Sequence, residues 1–254
     1  MVLKMPKKMI FNPLIKGHGD MKRTVIWFSC GAASAVSAYL TLKTTPDAVL
    51  AYCDTGGEHT DNMRFLQDVQ RWLNKEVIIL RNGKYQDHFD VIRKTRYVNG
   101  VKGARCTVEL KKVLRFEFQR ADDIQVFGYT CDEQDRADRF LKSFPEVDAK
   151  FPLIEKSFTK EMCLGFIREV GIKLPSMYEL GFNNNNCIGC VKGGAGYWNR
   201  IRNTFPDKFK QMAELEREVG HSCVKGKFLD ELSPEEGRHK EPKISCDFVC
   251  QSEI

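Results

Sequence analysis

The chain has 254 residues, 42% of them hydrophobic and 29% charged, with a formal charge of +6. That length can bury one large core, or a core and a lobe, and no apolar run approaches a membrane span, so no membrane contact is expected. The mild positive balance suits an anionic ligand without requiring nucleic acid. Ten cysteines without a secretory leader point to metal or catalytic thiols in the cytoplasm, rather than to a disulfide framework.

Residues 1–21 are basic, interrupted by Pro6 and Pro13, and read as an extended tail, or as a start placed too early with Met21 as the true one. Thr24 to Ser29 is a short β-rich run, followed by a helix over Ala32 to Leu42. Ala48 to Cys53 is a second strand, bounded by Pro46 and by Asp54-Thr55-Gly56. Phe65, Leu66, Val69, Trp72 and Leu73 recur at helical spacing and predict a helix over Asn62 to Leu73. Glu76 to Leu80 is a third strand, and a polar loop leads to a helix over Thr107 to Gln119. Ile124 to Gly128 is a fourth strand, and Glu133 to Phe144 is helical. Beyond Ser157 the pattern turns helical, clearest over Lys160 to Val170 and Asp207 to Val219, and Ser222 to Ile254 has little periodicity. Strands alternating with helices predict an α/β fold, a Rossmann-like, doubly wound, mostly parallel sheet with a helical, cysteine-containing C-terminal region. The expected organisation is a tail over 1–21, a nucleotide-binding core over 22–156 and a cysteine-bearing region with an irregular end over 157–254.

Ligands of such sheets bind beyond the carboxyl ends of the strands. Three polar segments fall there. Ser29, Gly31 and Ser34 lie in a strand-to-helix turn of small residues that can cradle an anion. Asp54 and Gly56 follow the second strand, where a carboxylate suits a ribose, an adenine amine or a metal-bound phosphate, and equally a turn. Gly128 ends the fourth strand, and Arg136 and Arg139 share a face of the next helix, fit either to clamp a phosphate or to form surface ion pairs. Between Val91 and Arg115 eight bases face one acid, Glu109, so an anion or distant acids must offset them.

Cys187-Ile188-Gly189-Cys190 puts two thiols on one tight turn, the bite of a zinc or iron–sulfur site. Two ligands are half a site, and Cys106, Cys223, Cys246 and Cys250 are candidates for the rest. Cys106 begins a helix beside Arg105, a place that favours thiolate. Cys53, Cys131 and Cys163 read as small buried hydrophobes. The glycines from Gly193 to Gly196 let the chain pass close to a metal, and Tyr197 and Trp198 leave room for stacking on nucleic acid.

In this order the segments resemble the phosphoadenosine phosphosulfate (PAPS) reductase family, within the adenine nucleotide α-hydrolase and ATP pyrophosphatase (PP-loop) superfamily. The segments are Ser29 to Leu40, Cys53-Asp-Thr-Gly56, Gly103 to Lys111, Gly128 to Ala137, Phe151 to Phe182 and the Cys187/Cys190 pair. The resemblance implies that Ser29, Gly31 and Ser34 hold a phosphate or sulfate, and that Asp54 and Gly56 lie near the adenosine. It implies Arg105, Lys111 and Arg136 as anion contacts around Gly128. It also implies a [4Fe–4S] cluster, with zinc as the alternative, on Cys106, Cys187, Cys190 and a fourth ligand taken as Cys250, with Cys246 and Cys223 as alternatives.

Ala32 and Ala33 stand where the ATP pyrophosphatases carry Lys and Asp, which favours the reductase-like branch. The reductases' Glu-Cys-Gly tail is missing, and Cys246 and Cys250 are the nearest catalytic thiols. The first expectation is therefore a sulfonucleotide reductase acting on APS or PAPS, with a thiol reductant such as thioredoxin. The alternatives are an ATP-dependent sulfurtransferase with a sulfur donor and a nucleic-acid acceptor, and a non-catalytic nucleotide-binding protein with a structural metal. A homodimer is left open.

Overall fold

In the computed structural model, residues 22–100, 103–237, 244 and 246 are described. Five strands form one sheet: β1 (Thr24–Trp27), β2 (Val49–Asp54), β3 (Val77–Arg81), β4 (Ile124–Phe127) and β5 (Asp148–Lys150). Their order is β3-β2-β1-β4-β5 and every pairing is parallel. The order reverses between β1 and β4, so a crevice opens at their carboxyl ends.

Alternation along β1 shows why both faces are covered. Ile26 and Phe28 enter one core with α1 (Ala32–Leu42), α2 (Asn62–Leu73) and α8 (Lys160–Glu169). Val25 and Trp27 enter the other, with α5 (Val113–Phe118) and α6 (Gln134–Ser143). The helices α1 and α2 fall on the residues expected of them.

Three differences from the sequence reading matter. The polar loop after β3 contains a helix, α3 (His88–Thr95), capped by Asp87, whose side chain accepts from Asp90 N. The next helix starts early, as α4 (Arg105–Thr107), and runs through a π turn over Val108–Lys112 into α5. That turn adds a residue to the helical circuit and changes the direction in which Lys111 leaves it. Finally, α10 (Ala195–Thr204) begins within the glycine-rich stretch. It packs with α3 and α11 (Pro206–Val219) in a further core around Trp198, Phe89 and Met212. Two short helices, α7 (Pro152–Glu155) and α9 (Ser176–Glu179), complete the set. Among the described residues no helix is long and apolar enough to cross a membrane.

Candidate active site

The turn after β1 is closed by one hydroxyl. Ser34 Oγ donates to Gly31 O at 2.9 Å and accepts from Ser29 N at 3.0 Å and Ser29 Oγ at 3.1 Å. Cys30 takes a left-handed conformation, φ 54°, inside this turn, and its carbonyl accepts from Asn185 Nδ2 at 2.7 Å. Gly31 caps α1 with no side-chain hydrogen bond, and the first turn carries no acid, which suits an anion. The end of β4 presses against this turn: a Cβ on Gly128 would lie 2.7 Å from Ser34 Cα and 2.9 Å from its N.

These segments line one side of a cleft whose other side is Tyr178, Asn184, Asn185, Asn186, Ile244 and Cys246. Lys111, Arg136 and Lys160 give it positive charge, against Glu133. Arg136 pairs with Glu133 and stacks 4.1 Å over Tyr129. Ile244 is fixed by its carbonyl, which accepts from Asn184 Nδ2 at 3.1 Å and Asn186 Nδ2 at 3.0 Å, and this brings Cys246 into the cleft.

The cysteine turn is pinned behind it. Tyr197 Oη accepts from Gly189 N at 3.0 Å and Cys190 N at 2.9 Å and donates to Cys187 O at 3.2 Å. Ile188 N donates to Gly57 O at 2.9 Å, and His88 Nε2 lies 3.2 Å from Gly189 O. Gly189 has φ +77°, and a Cβ there would lie 3.2 Å from both Phe89 and Trp198. Thr55 Oγ1 is 3.1 Å from Cys187 Sγ, and Thr107 Oγ1 is 3.7 Å from Cys246 Sγ.

The thiols stand within electrostatic reach of one another. Burial pushes Cys190 up to about 11, helped next by Cys246. Burial raises Cys106 further, with Cys246 and Cys190 adding to it. Cys187 is raised by burial, then by Glu58, with Cys246 and Cys190 contributing. Cys223 is raised by burial and by Glu216, with Cys190 and Cys106 behind them. At Cys106 burial thus outweighs the helix start. Among the described residues, no three His, Cys, Asp or Glu side chains are gathered to hold one metal ion.

The phosphoadenosine phosphosulfate reductase domain family matches residues 23–193. The chain belongs to this family. Two uncharacterized proteins of Methanocaldococcus jannaschii are similar to it. MJ0973 is 20% identical over 208 residues, covering 76% of this chain and 47% of the relative. MJ0066 is 25% identical over 214 residues, covering 78% and 42%. The chain therefore spans less than half the length of these curated relatives. A crystal structure of PAPS reductase from Candida auris in a phosphate complex aligns with a TM-score of 0.46 at 11% identity, over 64% of this chain and 81% of that one.

Within this PAPS reductase domain, the cleft gathers Ser29, Gly31, Ser34, Lys111, Gly128, Arg136 and Cys246 of the residues singled out by sequence. Asp54, Gly56 and Arg105 are not among its lining residues. Asp54 accepts from Gly56 N at 2.9 Å and faces Arg81 at 3.5 Å. Arg105 pairs with Glu109 at 2.5 Å. Cys250 lies outside the described residues.

The basic run is met largely by acids: Arg93 and Arg96 by Glu218, Lys94 by Asp90, and Lys111 by Glu58. Tyr197 and Trp198 are buried, at 7% and 0% exposure, so neither offers a face to nucleic acid. Gly193 is bare because the Tyr197 ring occupies the space of its Cβ, 2.0 Å away. Sequence reasoning missed Glu58, Thr55, Tyr178 and the Asn183–Asn186 loop. A Glu four residues after Asp54 is the available signal for the first, and a run of four asparagines is the signal for the last.

Proposed function

We propose that the chain binds an adenine sulfonucleotide in the cleft between β1 and β4 and reduces it, using a centre of four thiols: Cys106, Cys187, Cys190 and Cys246. The observation that carries this reading is the position of Cys246, which lines the cleft and lies 3.7 Å from Thr107 Oγ1, beside Cys106. The donor set fits an iron–sulfur cluster. All four donors are thiols, with Cys187 and Cys190 buried and Cys106 and Cys246 half-buried, which is the donor chemistry of an iron–sulfur site. A [4Fe–4S] cluster bound there would supply a redox-active, electron-rich face to the cleft.

The chain's own residues do the rest. The Ser29–Ser34 turn and the start of α1 receive phosphate oxygens, while Lys111 and Arg136 receive the sulfonate. Cys246 occupies the centre, so the nucleophile falls to Cys250. It is four residues further on, a span of at most about 14 Å. Its thiolate attacks the sulfur, the S–O bond to AMP breaks, and a Cys250 thiosulfonate forms. A thiol of a thioredoxin-class reductant then attacks the Cys250 sulfur, releasing sulfite and leaving a mixed disulfide. The reductant's second thiol resolves this to its own disulfide, which accounts for both electrons.

The test is anaerobic purification with iron and acid-labile sulfide analysis, followed by sulfite release from APS and PAPS with a dithiol. About four irons and four sulfides per chain, with sulfite formed, is the expected result. Pyrophosphate from ATP without sulfite would replace reduction with sulfur transfer. One zinc and no sulfide would remove the cluster.

A further inference from the structure

A buried acid that sequence reasoning passed over sits between the two halves of the site. The Glu58 side chain is 5% exposed. Its Oε2 accepts from Tyr52 Oη at 2.6 Å and Asn62 Nδ2 at 2.8 Å. Its Oε1 faces Lys111 Nζ at 3.7 Å, and the Lys111 side chain is 12% exposed. The chain of hydrogen bonds continues from Asn62 Oδ1 to Asn185 Nδ2 at 2.8 Å, and from there to the Cys30 carbonyl in the nucleotide turn. One carboxylate thus connects β2, α2, the turn after β1 and the loop that leads into Cys187.

Lys111 lines the cleft, and the Glu58 carboxyl faces its ammonium there. Glu58 is itself fixed by Tyr52 and Asn62, so the ion pair ties the Lys111 head to the end of β2. A buried carboxylate with both oxygens occupied is costly to desolvate, so its retention needs a reason beyond packing.

We propose that Glu58 is a positioning residue that acts through Lys111, holding the ammonium in the cleft, where it meets the anionic end of the ligand. This rests on the sulfonucleotide reading above and names a determinant of charge recognition within it. Without the carboxylate the Lys111 head is no longer held at the end of β2, and the cleft loses a fixed cation.

The experiment is a double-mutant cycle on anaerobically purified holoenzyme, with adenosine 5′-phosphosulfate and uncharged adenosine titrated calorimetrically. Glu58→Gln keeps the shape and the acceptor for Tyr52 and Asn62 but removes the charge. The expected result is about tenfold weaker phosphosulfate binding, unchanged adenosine binding, and no further loss when Glu58→Gln is added to Lys111→Met. Glu58→Asp, which keeps the charge, regains affinity and serves as the second variant should the amide fold poorly. An equal loss for adenosine, an additive cycle, a gain in phosphosulfate affinity, or an aspartate no better than the amide each overturns the proposal. Failure of the wild type to bind APS, PAPS or ATP would instead sink the functional reading itself.

Discussion

The sheet side of the cleft is built from repeated backbone bonds. Phe28 N extends the β1–β2 ladder to Ala51 O at 2.9 Å, and the β1–α1 turn that follows is closed by the Ser34 hydroxyl. The cysteine side has no ladder beneath it: one hydroxyl, on Tyr197, holds three backbone groups of the Cys187–Cys190 turn, with one backbone bond from Ile188 N to Gly57 O. The sheet side therefore has a distributed base under a single-hydroxyl turn, and the cysteine side is concentrated throughout. Damage to either should be separable from damage to the other.

The sharpest separation comes from ligands of each side. On the proposed cluster reading, Cys187→Ser or Cys190→Ser is expected to remove most of the iron, more than about tenfold in metal retention, while nucleotide binding persists. Gly128→Ala forces β4 off the Ser34 backbone and should do the reverse, weakening nucleotide binding with iron retained. Parallel metal analysis and nucleotide titration check both. Iron and nucleotide lost together in each variant would mean that the two sides fold as one unit.

Trp198→Ala comes next. Its ring is fully buried against Gly189 and Tyr197, and its loss should cost about 3–5 kcal/mol in urea unfolding. Tyr197→Phe leaves the Gly189 and Cys190 amides without their acceptor and should cost about 1–3 kcal/mol, with faster iron loss to a chelator.

The smallest effect tests the clamp between the halves. Arg64 binds Asp61 through Nε at 2.8 Å and Nη2 at 2.7 Å, and reaches Lys173 O and Leu174 O. Its hydrogen bonds hold the Asp61 carboxyl well below the usual carboxylate range. A depressed carboxylate adds stability above its unfolded pKa, about 4, and that stability is lost as pH falls through the folded value. Asp61→Asn should therefore lower stability at neutral pH and flatten its fall below about pH 4, read by unfolding at several pH values.

What the sequence made legible follows the same division. Helices α1 and α2 were readable because their apolar spacing is regular and their ends are marked, at Gly31 and at Asn74 in the left-handed conformation. The strands were readable from buried runs between turn residues. Helix α3 was missed although Asp87 caps it and Arg93 and Lys94 close it, because the surrounding polar residues hid a short face of Phe89, Val91 and Ile92. The cysteine pair was visible as spacing, but its support was not. Tyr197 and His88 act through backbone groups, His88 on one 101 residues away, and no side-chain pattern marks such a bond. The place of Cys246 in the cleft depends on the Asn184 and Asn186 amides reaching Ile244, which only the fold reveals.

The late position of Cys246 has a consequence for how the protein is made. Apart from Ile244, the other residues lining the cleft, and Cys106, Cys187 and Cys190, have all been synthesised at least 56 residues before Cys246 is added. At ordinary rates of translation that interval is roughly 3–11 s. During it the nascent chain holds every strand of the sheet and three of the four thiols of the proposed centre, so on that reading the fourth thiol is the last to be added.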